Sequence, residues 1–124
     1  MTELKFKAFF KIDGRIYEVL SIDFVNEEVS LWDEETSEGF EASFEDIELL
    51  QFAGFKDKNG MEIYTGFFVR WGLRTYKICF DCGFYMHDLS KINPDYPITK
   101  EFKNASDEFE IVGNIYENPN LEIK

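Results

Sequence analysis

The sequence is poor in the residues from which small proteins commonly build covalent or metal-centred sites. It has two cysteines among 124 residues, Cys79 and Cys82, within one short motif. No disulfide framework can span the chain, and a reducing, cytoplasmic setting is expected, because small secreted scaffolds normally depend on such bridges. His87 is the single histidine, and no serine elbow or carboxylate pair accompanies it, so nothing assembles a nucleophile, a base and a stabiliser. No apolar run approaches the roughly 18 residues that cross a bilayer, and "MTELKFKAFF" has neither a basic-then-apolar leader nor a small-residue cleavage site. A non-enzymatic protein that does not enter a membrane is expected, a single domain over residues 1–124.

Lys and Arg are also missing from Ile16 to Phe55, whereas Glu18, Asp23, Glu27, Glu28, Asp33, Glu34, Glu35, Glu38, Glu41, Glu45, Asp46 and Glu48 are all acidic. The net charge is -12, and the rest of the chain is close to balanced. So negative a surface repels phosphate backbones, which disfavours direct nucleic-acid binding there and favours a basic partner.

What is present is a β pattern. In "LKFKAFFK" Leu4, Phe6, Ala8 and Phe10 alternate with lysines, the period of a half-buried strand. Asp13-Gly14 then offers a hairpin turn into "RIYEVLSIDFV", and "NEE" reverses the chain into "VSLW". "DEETSEG" reads as a solvated acidic loop. Ser43 with Asp46 resembles a capping box, and Phe44, Ile47 and Leu50 fall three apart, so one or two helical turns are expected, changing to strand near Leu49 and Leu50. "DKNG" makes a hairpin between "LLQFAGF" and "MEIYTGFFVRW", and Gly66 marks a bulge or bend. "RTYKICF", "GFYM" and "EFEIVGNIY" are further strands, with the turn near Leu73, and 88–107, carrying Pro94 and Pro97, reads as a long irregular segment. Pro119 could open a terminal helical turn. The fold class is mainly β: a small antiparallel, partly closed SH3-like or pseudobarrel domain.

Two segments carry a family resemblance. "LLQFAGFKDKNGMEIYTGFFVRW" and "FEIVGNIYENPNL" resemble the YopX family of phage and prophage proteins, whose members read Q-Y-T-G-L-x-D-x-N-G-x-E-I-Y-x-G-D and, much later, V-I-G-N-I-Y-E-N-P-E-L. The matching positions are Gln51, Gly54, Asp57, Asn59, Gly60, Glu62, Ile63, Tyr64 and Gly66, then Val112 to Pro119 and Leu121. The opening "LKFKAF" is also similar to the family's usual start, less closely. Phe67 stands where the family commonly has an acid. The resemblance implies a small β-rich domain of phage origin with no established catalytic activity.

Three groups of side chains are candidates for function. "CFDC" with His87 lacks the second Cys pair of a structural zinc site, and on a regular strand Cys79 and Cys82 point to opposite faces, so no metal or other cofactor is expected. The acidic segment reads either as a solvated face or as a mimic of DNA, which carries one charge per about 1.7 Å of duplex. In the second reading Asp33, Glu34, Glu35, Glu38 and Glu41, with Trp32 and Phe40 as apolar anchors, bind a host protein such as a nuclease or another DNA-binding protein of a defence system. The alternative is an oligomeric barrel that sequesters a small nucleotide-like ligand through Arg70, Trp71, Arg74 and Tyr76, the basic aromatic cluster.

Overall fold

The computed structural model describes residues 4–81, 83–99 and 106–120. The chain divides into two compact units, Leu4–Gln51 and the part from Phe52 onward. Among the described residues no helix is long and apolar enough to cross a membrane.

The first unit is a meander of four strands, each paired antiparallel with its neighbour in sequence, closed by a fifth that pairs with the first. It contains β1 (Phe6–Phe10), β2 (Arg15–Asp23), β3 (Glu28–Asp33), β4 (Glu38–Ser43) and the first half of β5 (Ile47–Lys56), which returns to pair with β1. An aspartate anchors each of its three hairpin turns. Asp13, Asp23 and Asp33 accept from the backbone amides of Arg15, Val25 and Glu35 at 3.0, 3.0 and 2.9 Å, the local bond that lets an Asp mimic a turn of backbone. Asp13 also accepts from the Tyr17 hydroxyl, and this bond, with burial, raises the Tyr17 pKa. Alternation sends Ala8, Tyr17, Val29, Leu31, Ala42 and Ile47 into one core.

The expected helix shrinks to a single 3-10 turn, Phe44–Asp46. Ser43 caps it as expected, but its hydroxyl accepts from the Glu45 amide at 3.3 Å, one residue earlier than a capping box uses. Ile47 is already extended at φ -132°, because its side chain joins the β core and its strand pairs with β1 through Phe10. Cross-strand pairing outweighs a short apolar spacing that fits both periods. "DEETSEG" is likewise shorter as a loop than its composition indicates: the chain turns over 34–37, and Glu38 already belongs to β4.

In the second unit the far half of β5 pairs with β6 (Glu62–Tyr64), and a five-stranded sheet has the order β10-β9-β8-β7-β11. Its strands are β7 (Phe67–Trp71), β8 (Arg74–Phe80), β9 (Phe84–Asp88), β10 (Tyr96–Pro97) and β11 (Phe109–Asn114). Tyr96 and Pro97 thus order part of the segment read as irregular by pairing with Met86 and Tyr85. Ala53, Phe55, Ile63, Val69, Tyr76, Ile78, Met86 and Phe109 form its core. The outer strands β4, β10 and β11 each have one hydrogen-bonded neighbour among the described residues, so the sheets stay open where partial barrel closure was expected. The mainly β, antiparallel class is as expected.

The hairpin at 57–60 is fastened from several sides. Asp57 is buried, and its carboxylate accepts from the amides of Asn59, Met61 and Ile111 at 2.9, 3.0 and 3.1 Å, while the Lys58 amide donates to the Phe109 carbonyl at 2.9 Å. Gly60 has the left-handed φ of +79° that this turn needs. Gly66, at φ +85°, bends the chain between β6 and β7, and its amide and carbonyl bond Ile78 and Ile115 at 2.8 Å each. At the end of β11 the Asn114 carboxamide oxygen accepts from the amides of Tyr116 and Glu117 at 3.0 and 2.8 Å. Gly113 lies beneath this knot at φ +154°, where an added Cβ would come within 2.6 Å of the Asn118 side-chain oxygen. The glycines and polar residues of the two motif segments are therefore turn, bend and closing knot.

Candidate functional site

The acidic candidates gather at the β3–β4 hairpin, but not on one face. Asp33 and Glu38 face each other across the strand pair, with Glu34 and Glu35 in the turn between them. Two like charges directly opposite are unfavourable in a sheet. Trp32, Asp33, Glu34 and Glu35 line a cavity of about 230 Å³ together with Arg15 and Lys7. Arg15 reaches Glu35 at 2.9 Å, and the Glu35 carboxylate is the main cause of the raised Arg15 pKa. Lys7 is 3.5 Å from Glu18. Glu34, Glu38 and Glu41 have no ion pair among the described residues.

Of the two expected anchors, Trp32 is half-buried beside this cavity, opposite Gly39 on β4. Phe40 lies on the core side, its ring 5.0 Å from that of Tyr17 and 5.5 Å from that of Phe10. Glu41, one residue further along the strand, projects to the opposite face from Phe40. The arrangement offers a hairpin end ringed by carboxylates, with one aromatic plane accessible beside it.

The basic aromatic cluster is divided. Trp71 and Tyr76 pack with each other at 5.9 Å and with Tyr96 and Phe109 in the second unit's core, and burial raises the Tyr76 pKa. Arg70 and Arg74 instead line an open cavity of about 520 Å³ with Leu73, Thr75, Leu89 and Ser90. Asp88 lies at its base with its side chain fully buried. Burial opposes the Asp88 charge, yet hydrogen bonds from the Ser90 hydroxyl and amide and the Asn93 amide, with Arg74 nearby, outweigh it and hold the carboxyl below its usual range.

Cys79 is half-buried on β8, its sulfur 3.6 Å from the Lys77 carbonyl oxygen, and Cys82 lies outside the described residues. His87 is on β9 opposite Lys77, with Nδ1 2.8 Å from Asp95 Oδ1. Among the described residues no group of three or more His, Cys, Asp or Glu side chains is placed to hold a metal ion. The sequence reading assigned no buried role to Asp57 or Asp88, both of which are buried here. The available signal was the turn grammar around each, Asp-x-Asn-Gly at 57–60 and Asp-x-Ser at 88–90.

Comparisons with known proteins agree on architecture. A family model described as YopX protein matches residues 5–122, across both compact units. The crystal structure of protein EF1440 from Enterococcus faecalis is similar over 98% of this chain and 99% of that one, with a TM-score of 0.68 and 23% identity. At that identity the likeness concerns the fold alone. No match was found among curated proteins.

Proposed function

Starting from the fact that the chain belongs to the YopX family, a phage and prophage type of protein, we propose that it binds a basic host protein through the carboxylates of its β3–β4 hairpin. The observation that carries this reading is the pairing of Asp33 with Glu38, with Glu34 and Glu35 between them. A sheet selected for stability alone avoids like charges directly opposite each other. The repulsion is relieved when a cationic partner occupies the hairpin end, so the arrangement costs stability in the free protein and returns it in the complex. Trp32 supplies the apolar plane that a hot spot needs beside such charges. The partner class is a nucleic-acid-handling protein of host defence, held inside the host cell, and the chain acts by occupying its DNA cleft, not by catalysis.

The test is a tagged pull-down from host lysate at low and high salt, followed by titration of the captured protein against the Glu34→Lys/Glu35→Lys/Glu38→Lys variant. A DNA-binding protein held at low salt, released at high salt and by competing duplex DNA, and lost by the variant supports the reading. An affinity that stays flat across salt sinks it, because exposed charge pairs are screened over about 10 Å at 0.1 M.

A further inference from the structure

Among the described residues β4, β6, β10 and β11 end the sheets, and all but β4 are blunted against further pairing. β6 spans only Glu62–Tyr64, and β10 only Tyr96–Pro97, with a proline that has no amide to give. β11 is bulged between Ile111 and Gly113, and its Ile111 amide and Phe109 carbonyl already bond Asp57 and Lys58. β4 has none of these protections. It runs in unbroken register with β3 over Glu38–Ser43 and contains neither proline nor lysine, the residues that commonly guard an exposed edge.

The phase of this edge follows from one bond. The Phe44 amide donates to the Glu27 carbonyl at 2.9 Å, which continues the β3–β4 register one step past Ser43 and Glu28. Antiparallel ladders alternate, so Phe40 and Ala42 turn their backbone groups toward β3, whereas Gly39, Glu41 and Ser43 turn theirs away. These last residues are exposed. Among the described residues nothing bonds the amides of Gly39, Glu41 and Ser43 or the carbonyls of Gly39 and Glu41. Side chains alternate with the same period. Phe40 and Ala42 lie on the core face, opposite Leu31 and Val29, and Glu41 stands on the other face, opposite Ser30.

From this we infer that β4 receives an extended segment of a basic protein as an added antiparallel strand, with cationic side chains beside Glu41 alternating with apolar ones beside Phe40 and Ala42. This mode of capture rests on the reading of the β3–β4 hairpin as the binder of a basic partner. Strand addition draws affinity from backbone bonds and specificity from alternate side chains. Charge selects the occupant. A second copy would set the acidic β4 against another acidic β4, and like charges across a strand pair are unfavourable. From Ile16 to Phe55 the chain has no lysine or arginine to relieve them. Antiparallel pairing continues the direction of the pairs already in this unit and is the more stable per residue. In it the residues opposite Gly39, Glu41 and Ser43 carry both the cations and the amides that face β4.

The experiment titrates the full chain with a short synthetic peptide alternating lysine and valine, and with the same peptide N-methylated at its lysines or at its valines, while amide exchange is followed by NMR. The expected result is saturable binding at low salt that slows exchange at Gly39, Glu41 and Ser43. Methylation at the lysines abolishes it, and methylation at the valines, whose amides face away from β4, leaves it in place. Glu41→Pro weakens binding about tenfold or more, the scale of a lost backbone bond together with a lost charge contact, and Glu41→Gln, which keeps the amide, weakens it less. Ser43→Pro weakens it about threefold to tenfold. Ser43 already has a proline-like φ of -74°, so this variant folds and reports on the edge even if Glu41→Pro does not. Absence of saturable binding, equal binding of the two methylated peptides, or unchanged exchange at Gly39 and Glu41 overturns strand addition. Dimerisation of the chain alone with those amides protected assigns the edge to a second copy and overturns it also. The pull-down separates the two readings. Capture of a basic protein that is lost by Glu34→Lys/Glu35→Lys/Glu38→Lys but untouched by Ser43→Pro overturns the added strand alone. Peptide binding at the edge with no basic protein captured overturns the host-protein reading alone.

Discussion

The two compact units use the same residue type in opposite ways. In the first, Asp13, Asp23 and Asp33 bind turn amides at the surface, and the glutamates around them face water. In the second, Asp57 and Asp88 bind turn amides from buried positions, and basic residues restore the balance of charge. One local bond, from an Asp side chain to the amide two residues on, thus serves both. What differs is whether the carboxylate is afterwards left to solvent or enclosed by another strand. A carboxylate left to solvent costs little to change and remains available to a partner. An enclosed one is costly to change and unavailable.

The sharpest way to break this contrast is to remove the enclosed groups. Asp57→Ala leaves the amides of Asn59, Met61 and Ile111 without their acceptor and should cost about 3–5 kcal/mol, read as a loss in denaturant midpoint at unchanged slope. Asp33→Ala, at the matching position of the first unit, should cost about 1 kcal/mol or less. Equal losses would show that enclosure is irrelevant. Next in size is Gly113→Ala, expected to cost about 2–3 kcal/mol, because it combines a φ that side chains avoid with a close approach to Asn118. Asn118→Ala in the same background should return part of that loss by removing the clash.

Acid titration separates the units more gently. The folded Asp88 carboxyl is held below its usual value, so its contribution is fully present above the unfolded pKa of about 3.9 and disappears as pH falls through the lower folded value. The stability gap between wild type and Asp88→Asn should therefore be constant from neutral pH to near pH 5 and narrow below about pH 4. A gap unchanged down to pH 2 would mean that the charge contributes nothing. The smallest expected effect has the opposite sign. Glu38→Lys replaces repulsion across from Asp33 with attraction and should stabilise the free protein by about 0.2–1 kcal/mol while weakening partner capture. A destabilised variant would remove the energetic argument for the acidic hairpin.

Much of the fold was legible where turn chemistry and alternation agreed. The 57–60 hairpin, the Asp13-Gly14 turn, the bend at Gly66 and the cap at Ser43 follow from residues whose conformational needs are local. β4 was not legible, because in "EGFEAS" two acids and a glycine dilute the alternation that places Phe40 and Ala42 inside. The helix expected after Ser43 stops at a single 3-10 turn because long-range pairing with β1 determines the conformation of Ile47. The acidic group was found by composition, and its paired geometry was not, since register decides which residues stand opposite. The arginine cavity was half visible: charge selected Arg70 and Arg74, but Trp71 and Tyr76 belong to an aromatic core that neighbours in sequence do not disclose.

The bond from the Ile111 amide to Asp57 closes across 54 residues. Its consequence is one of timing. During synthesis the 57–60 turn emerges long before its last partner, and the carboxylate destined for the interior stays hydrated until β11 arrives. Non-local closures of this kind slow folding, because the entropy of the intervening loop is lost before the contact is gained. The hairpins from β1 to β4 meet no such delay, and in the first unit only the closing pair of β5 on β1 is non-local. The acidic meander is thus the part of the chain able to form early, and the joining of Asp57 to β11 is the late step that commits the rest.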